Sequence, residues 1–225
     1  WSAAVEENYF GDHADWAPAV RERYAALGGP VLDVGCGAGQ HALFLQERGE
    51  AVAVDVSPNA VRTARERGVA DARVLDMFEL DDAFDPDRFA STLVNGTQLG
   101  LGGSLAGVAA LLADLARVTR EGATALVDSY DPARLDAGAF GGYRPDPREG
   151  VCRRTFHVEY ERAAEGEGNG DDGEPARERL VGPDLSFVLF SPGRLRDACV
   201  GTPWRVASVA RREDGAYYSA TLSKA

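Results

Sequence analysis

Val31-Leu32-Asp33-Val34-Gly35-Cys36-Gly37-Ala38-Gly39-Gln40-His41 runs from a short apolar, β-branched strand through three glycines into a helix. Such a turn gathers backbone N–H groups and a helix N-terminus around a ligand. Without a Cβ at Gly35, Gly37 and Gly39, the main chain bends sharply and approaches that ligand closely. The spacing is G-x-G-x-G, and Gln40 stands where the dinucleotide fingerprint G-x-G-x-x-G has its last glycine. Asp33, two positions before the first glycine, repels a pyrophosphate and suits a ligand that carries an ammonium or another cation.

Strands and helices alternate outward from this segment, between Pro30 and Ser129. His41 to Arg48 reads as a helix closed by Gly49, and Ala51 to Asp55 as a second strand. Ser57 offers an N-cap and Pro58 the first position of a helix that stops at Gly68. Arg73 to Asp76 is a third strand, Phe89 to Val94 a fourth and Ala123 to Asp128 a fifth. Leu105, Val108, Ala109, Leu112 and Leu115 share one helical face between the last two. Apolar strands alternating with helices mean a parallel sheet covered on both faces.

The pattern changes after Ser129. Phe156, Val158 and Tyr160 alternate with polar residues, as in a half-exposed antiparallel strand. Residues 162–178 are acidic and glycine-rich and read as a mobile loop. Leu185 to Phe190 is another strand, and Ser191-Pro192 opens a helix ending near Gly201. Trp204 to Val209 and Tyr217 to Leu222 close the chain as two strands joined through Asp214-Gly215. The expected plan is one α/β domain over residues 30–225, preceded by a helical segment over 1–29. A β-hairpin insertion at about 133–190 separates its fifth and sixth strands.

This ordered set resembles the class I S-adenosylmethionine-dependent methyltransferases, whose first motif reads acidic-x-G-x-G-x-G. The resemblance implies a Rossmann-like seven-stranded sheet, mostly parallel, with the last strand antiparallel. It implies S-adenosylmethionine as cofactor, held by Asp33, Gly35, Cys36, Gly37, Ala38 and Gly39. Asp55, with Val56 beside it, matches the acid that accepts both ribose hydroxyls. Asp76-Met77 matches the pair in which the acid takes the adenine amino group and the apolar neighbour packs on the ring. Asn95-Gly96 matches the stretch where the chain passes methyl donor and acceptor. Tyr9 falls where small-molecule members fold an N-terminal segment over the cofactor. Physically, hydroxyl and amino donors need acceptors, and carboxylates at strand ends supply them along the rim where open α/β sheets bind ligands.

Each residue also has a plainer reading. Asp33 and Asp55 are helix-cap types, but an acid ending a buried strand is costly without a partner. Asn95-Gly96-Thr97 suits a simple turn, and Cys36 has no neighbouring base that would make it a nucleophile. Methyl transfer from a sulfonium is an in-line displacement that needs alignment and exclusion of water. A general base serves only an acceptor that must lose a proton. The sequence does not choose among His157, Tyr143, Tyr130, His41 and Tyr9, and His157 reads best as a solvent-facing strand residue. Phe140, Tyr143, Phe156, Tyr160, Phe187 and Phe190 of the insertion are expected to line the substrate side. Arg144, Arg148, Arg153 and Arg154 there either bind a substrate carboxylate or balance the acidic surface, the second being preferred.

The composition bounds the alternatives. The 225 residues include 36 acidic and 24 basic side chains, for a formal charge of −12, and Lys224 is the only lysine. That balance argues against nucleic acid and anionic membrane surfaces as partners. A halophilic or high-G+C source would produce the same bias, and high salt would screen the repulsion. No apolar run reaches a spanning length and no signal peptide opens the chain, so a cytoplasmic small-molecule enzyme is expected. The chain starts at Trp1 without a methionine, which leaves room for a preceding piece. Cys36, Cys152 and Cys199 and the three scattered histidines form no metal-ligand pattern, so no metal is expected. The competing readings are an NAD(P)-dependent oxidoreductase and a non-catalytic S-adenosylmethionine-binding module. A hydrolase built on Ser104, Asp131 and His157 fits less well, because Ala106 replaces the last glycine of G-x-S-x-G.

Overall fold

The computed structural model describes residues 10–138, 140–157, 159–163, 177–211 and 215–225. Tyr9, Val158 and Asp214 lie outside them. In chain order, α1 (Pro18–Ala25) precedes β1 (Val31–Val34), α2 (Gln40–Gln46), β2 (Ala51–Asp55), α3 (Pro58–Glu66) and β3 (Ala72–Val74). Then follow α4 (Leu80–Ala83), β4 (Phe89–Val94), α5 (Leu105–Val118) and β5 (Thr119–Tyr130). The insertion contributes β6 (Tyr143–Pro145), β7 (Val151–Phe156), β8 (Glu159–Ala163), β9 (Arg177–Val181) and β10 (Leu185–Phe190). The chain closes with α6 (Pro192–Cys199), β11 (Trp204–Arg211) and β12 (Tyr217–Lys224).

Seven strands form one sheet in the order β3-β2-β1-β4-β5-β12-β11. β1 pairs parallel with β2 and β4, while β3 and β5 extend the parallel set outward. β12 runs antiparallel to both β5 and β11, so the last strand is the one that opposes the rest. This is the expected Rossmann-like seven-stranded sheet, mostly parallel with the last strand antiparallel.

All four residues of β1 are buried, so each must be covered on its own face. Leu32 and Val34 join Val52, Val54, Val94 and Val127 beneath Val108, Leu111, Leu112 and Leu115 of α5. Val31 and Leu93 pack on the other face against Tyr24 of α1 and Phe44 and Leu45 of α2, and Ala53 packs against Val61 and Ala64 of α3. Each large apolar side chain so covered contributes about 1.5–3 kcal/mol. Trp204 is fully buried at the far edge, and its indole N–H donates to Leu112 O at 2.8 Å. The helix starts follow from capping. Ser57, Ser104 and Ser191 accept the Ala60, Gly107 and Arg194 amides, and Pro58 and Pro192 hold the first turns of α3 and α6.

Several boundaries differ from expectation. The third strand stops at Val74, and Asp76 beyond it caps a 3-10 turn over Met77–Glu79 by accepting the Phe78 amide at 3.1 Å. The fifth strand begins at Thr119, with a register shift between Phe89 and Ser91. The insertion is more than a hairpin. β10, β7 and β6 form a three-stranded antiparallel sheet, and β8 and β9 form a separate ladder. The half-exposed strand expected through Phe156, Val158 and Tyr160 breaks after Phe156, at His157. At the ends of the loop expected over 162–178, Arg162 pairs with Glu178 and Ala163 with Arg177 as strand residues.

Candidate active site

The carboxyl ends of β1, β2 and β4 bring Asp33, Gly35, Cys36, Gly37, Ala38, Gly39, Asp55, Asn95 and Gly96 to one rim. The Gly35 and Cys36 amides bond Val54 O at 2.8 and 3.0 Å, which folds the glycine loop over β2. Gly35 and Gly39 have φ of 73° and 79°, in the region that disfavours a side chain. A Cβ on Gly35 would lie 2.7 Å from Gln98 Cγ, and one on Gly39 would lie 2.5 Å from Val69 Cγ2. The glycines therefore admit the Gln98 side chain on one side and α3 with Val69 on the other.

Asp55, at the end of β2, accepts the Gly37 amide at 2.9 Å and the Ser57 amide at 2.8 Å. Asp33 is buried at 2% exposure, and its Oδ2 has no hydrogen-bond partner among the described residues. Burial, and then the neighbouring Asp55 charge, push its pKa up to about 7 against a weaker pull from the Ala42 amide. Burial together with Asp33 and Asp55 holds the Cys36 thiol protonated, far above its ordinary range. Cys36 is therefore no nucleophile.

Asp76 sits further along the same rim, half-buried beyond β3. Met77 turns into the core, whereas Val56 and Phe78 expose 66% and 50% of their surface. The apolar surface at the ends of β2 and β3 thus comes from Val56 and Phe78 rather than from Met77.

Beyond β4, Asn95 Oδ1 accepts the Tyr24 hydroxyl at 3.4 Å, and its Nδ2 donates to His41 Nε2 at 3.3 Å. His41 is wedged between the rings of Trp16 and Tyr24, and burial lowers its pKa to about 4, so it stays neutral. Asp128, at 1% exposure in β5, accepts the Gly96 and Thr97 amides at 2.8 and 2.6 Å and the Tyr217 hydroxyl at 2.7 Å. Sequence reasoning passed over Asp128, although Leu126-Val127-Asp128 repeats the pattern of an acid ending a buried run seen at Asp33 and Asp55. It also gave Gln40 no role. The Gln40 side chain donates to Gly11 O at 2.8 Å and ties the N-terminal segment to the glycine loop.

The insertion lies against this rim, with β10 beside the 3-10 turn at Gln98–Gly102 and the end of β5. Its inner face carries Cys152, Phe187 and Leu189, with Tyr130, Phe140, Tyr143 and Phe156 packed on them. Arg154 lies over the Phe140 and Phe156 rings at 4.8 and 4.6 Å. Arg153 donates to Gly103 O at 2.8 Å, and Arg148 forks onto Asp146. His157 is exposed and pairs with Glu159 and Asp184, which raise its pKa. The Ser104–Asp131–His157 arrangement does not assemble. Ser104 caps α5, Asp131 pairs with Arg211 at 2.8 Å, and His157 is occupied on the surface. Among the described residues no cluster could hold a metal ion, and no helix is long and apolar enough to cross a membrane.

A family model described as a methyltransferase domain matches residues 31–122. The match is to the model of that domain and spans less than half of the chain. The matched residues contain β1 through α5 and the whole glycine loop. The likeness of fold to solved structures extends over nearly the whole chain. A SAM-dependent methyltransferase from Bacteroides fragilis, in complex with S-adenosyl-L-homocysteine, superposes with a TM-score of 0.67 at 22% identity, covering 98% of this chain and 81% of that one. SAM-bound CalS10, an amino pentose methyltransferase from Micromonospora echinaspora, gives 0.67 at 19% identity, covering 100% and 96%. The sugar N-methyltransferase KedS8 from Streptoalloteichus gives 0.62 at 16% identity, covering 97% and 90%. A search of curated proteins found no matching sequence.

Proposed function

We propose that this methyltransferase domain transfers the methyl group of S-adenosylmethionine to a small molecule bound beneath the inserted sheet. The observation that carries the reading is the buried, unpartnered Oδ2 of Asp33 beside a glycine loop pinned by Asp55. A buried orphan acceptor is expensive, and a cationic, donor-rich ligand relieves it. The cofactor, when bound, supplies a methyl on a positively charged sulfur.

The chain's own residues then have these roles. Asp33 faces the ammonium of the methionyl end, and the Gly35–Gly39 backbone cradles it together with Cys36 and Ala38. Asp55 keeps lone pairs for the ribose hydroxyls while it holds Gly37 and Ser57. Asp76 takes the adenine amino group, with Val56 and Phe78 on the ring faces and Met77 supporting them from the core. Asn95-Gly96 lies where donor and acceptor meet. Tyr130, Phe140, Tyr143, Phe156 and Phe187 line the acceptor side and exclude water.

A small acceptor also agrees with the −12 charge and with neighbours named as sugar methyltransferases. The cysteines are all buried and free of disulfides, which favours the cytoplasm. Calorimetric titration with S-adenosylmethionine, S-adenosylhomocysteine and NAD tests the reading. Binding of the two sulfur nucleosides supports it, and binding of NAD alone overturns it. Release of S-adenosylhomocysteine on incubation with a metabolite extract separates an enzyme from a binding module.

A further inference from the structure

Gln98 lies over the start of the glycine loop. Its Cγ, Cδ and Oε1 stand 2.7, 2.8 and 3.0 Å from where a Cβ on Gly35 would be. The side chain is half-buried and has no hydrogen-bond partner among the described residues. Strained backbone puts it there. Gly96 and Thr97, immediately before it, have φ of 80° and 62°, and the second value is costly for a β-branched residue. Asp128 holds both by accepting their amides at 2.8 and 2.6 Å. On its far side the same turn rests on β10, where a Cβ on Gly100 would meet Val188 O. The turn is thus clamped between β5 and the insertion, with Gln98 directed at the loop.

The loop itself has little to offer an anion. The Gly35 and Cys36 amides are bonded to Val54 O, that of Gly37 to Asp55 and that of Gly39 to Cys36 O. Asp33 and Asp55 beside it repel negative charge, so a ligand carboxylate here needs a donor from outside the loop. A glutamine amide donates without carrying charge. An arginine or lysine in its place would compete with a ligand's ammonium for Asp33, whose Oδ2 is unpartnered among the described residues.

We propose that Gln98, held over Gly35 by this turn, donates its side-chain amide to the carboxylate of the methionyl end of the cofactor. This rests on the function proposed above. The ammonium and carboxylate of an amino acid are borne by one carbon. A ligand whose ammonium faces Asp33 therefore brings its carboxylate to the adjoining start of the loop, at Gly35. Asp33 and Gln98 divide the two charges between them, the acid taking the cation and the amide the anion. Gln98 thereby selects nucleosides that keep the whole amino-acid group, and its hydrogen bond to an ionised partner is of the stronger kind.

Calorimetry with S-adenosylhomocysteine and with its analogue lacking only the carboxyl group tests this. Gln98→Ala should lose about tenfold in affinity for S-adenosylhomocysteine, as expected for a hydrogen bond to a charged group. For the analogue it should stay within about twofold of wild type, which also certifies the fold. Gln98→Glu keeps the shape but sets an anion against the carboxylate, so it should lose still more for S-adenosylhomocysteine and nothing for the analogue. Equal losses for the two ligands, or no loss for S-adenosylhomocysteine in either variant, overturn the proposal and leave the cofactor reading standing. Failure of the wild type to bind S-adenosylhomocysteine overturns both. Should the variants not fold, or wild type not bind the analogue, a crystal structure of wild type with S-adenosylhomocysteine decides. Gln98 Nε2 within about 3.2 Å of a carboxylate oxygen supports the proposal, and a position beyond hydrogen-bond reach overturns it.

Discussion

Gly37 donates its amide to Asp55 Oδ2 at 2.9 Å, so the acid that ends β2 shapes the glycine loop that follows β1. Its other oxygen holds Ser57 at 2.8 Å and with it the start of α3. Asp55→Ala removes both acceptors at once. It should cost about 1–3 kcal/mol in stability for the two stranded N–H groups and weaken S-adenosylhomocysteine binding at least about tenfold. Asp55→Asn, which keeps one acceptor oxygen, should fall between. Calorimetry and thermal melts check both values, and unchanged affinity in Asp55→Ala removes Asp55 from the cofactor site.

Asp33 gives the site a pH dependence with a definite sign. Its folded pKa of about 7 lies above the ordinary 3.8, because burial and the Asp55 charge oppose ionisation. Between those values the unfolded chain ionises Asp33 while the native state keeps the proton. Its contribution is therefore intact below about pH 4 and lost progressively as pH rises towards 7, on the order of 1–4 kcal/mol in all. Asp33→Asn should flatten that slope relative to wild type in urea melts across the window. A ligand that places an ammonium beside Asp33 must drive the proton off. Titrations near about pH 6.5 in buffers of different ionisation enthalpy should show proton release for wild type and none for Asp33→Asn. Equal proton counts would place the ligand's cation elsewhere.

The parts of this design that the sequence displays are those carried by neighbouring residues. β1, β2 and β4 are runs of apolar residues because both faces are covered, and Ser57-Pro58 and Ser104 mark helix starts by local capping chemistry. What stayed hidden depends on partners far apart in the chain. Asp128 gains its meaning from Gly96, Thr97 and Tyr217, and Gln40 from Gly11. The ladder of β8 and β9 was hidden for another reason. It is held by backbone pairing and by charged contacts such as Arg179 with Glu159, so it shows no apolar alternation. The 3-10 turn that Asp76 caps, which puts Met77 in the core and leaves Phe78 exposed, was hidden as well, because no apolar periodicity marks so short a turn.

The glycines of the loop differ in what they tolerate. At Gly39 a new Cβ meets Val69 at 2.5 Å and Ala64 of α3 at 3.0 Å, both buried in one cluster, and φ is 79°. Gly39→Ala should therefore cost about 2–4 kcal/mol, combining left-handed strain with overpacking. At Gly35 the obstacle is the Gln98 side chain, which can swing away. Gly35→Ala should cost only the strain, about 1–2 kcal/mol, while disturbing the rim where the ligand sits. Denaturant melts should rank Gly39→Ala as the less stable variant, and the reverse order would contradict this packing.

Gln40 links the loop to the segment that covers it. Its side chain is buried, and its amide donates to Gly11 O. Arg67 reinforces the same junction by donating to Ala38 O at 2.8 Å while its guanidinium lies over the Phe10 ring at 5.3 Å. Gln40→Ala removes one bond of the junction, worth about 1 kcal/mol, and leaves the sheet intact. Opening of the segment at residues 11–16 should then become several-fold more frequent at an almost unchanged melting temperature, because local opening is governed by local contacts. Hydrogen exchange with and without S-adenosylhomocysteine measures this directly. If the segment closes over the cofactor, the ligand should restore protection in wild type and only partly in Gln40→Ala. Protection that ignores the ligand in both proteins would mean that the segment packs on the loop without covering the site.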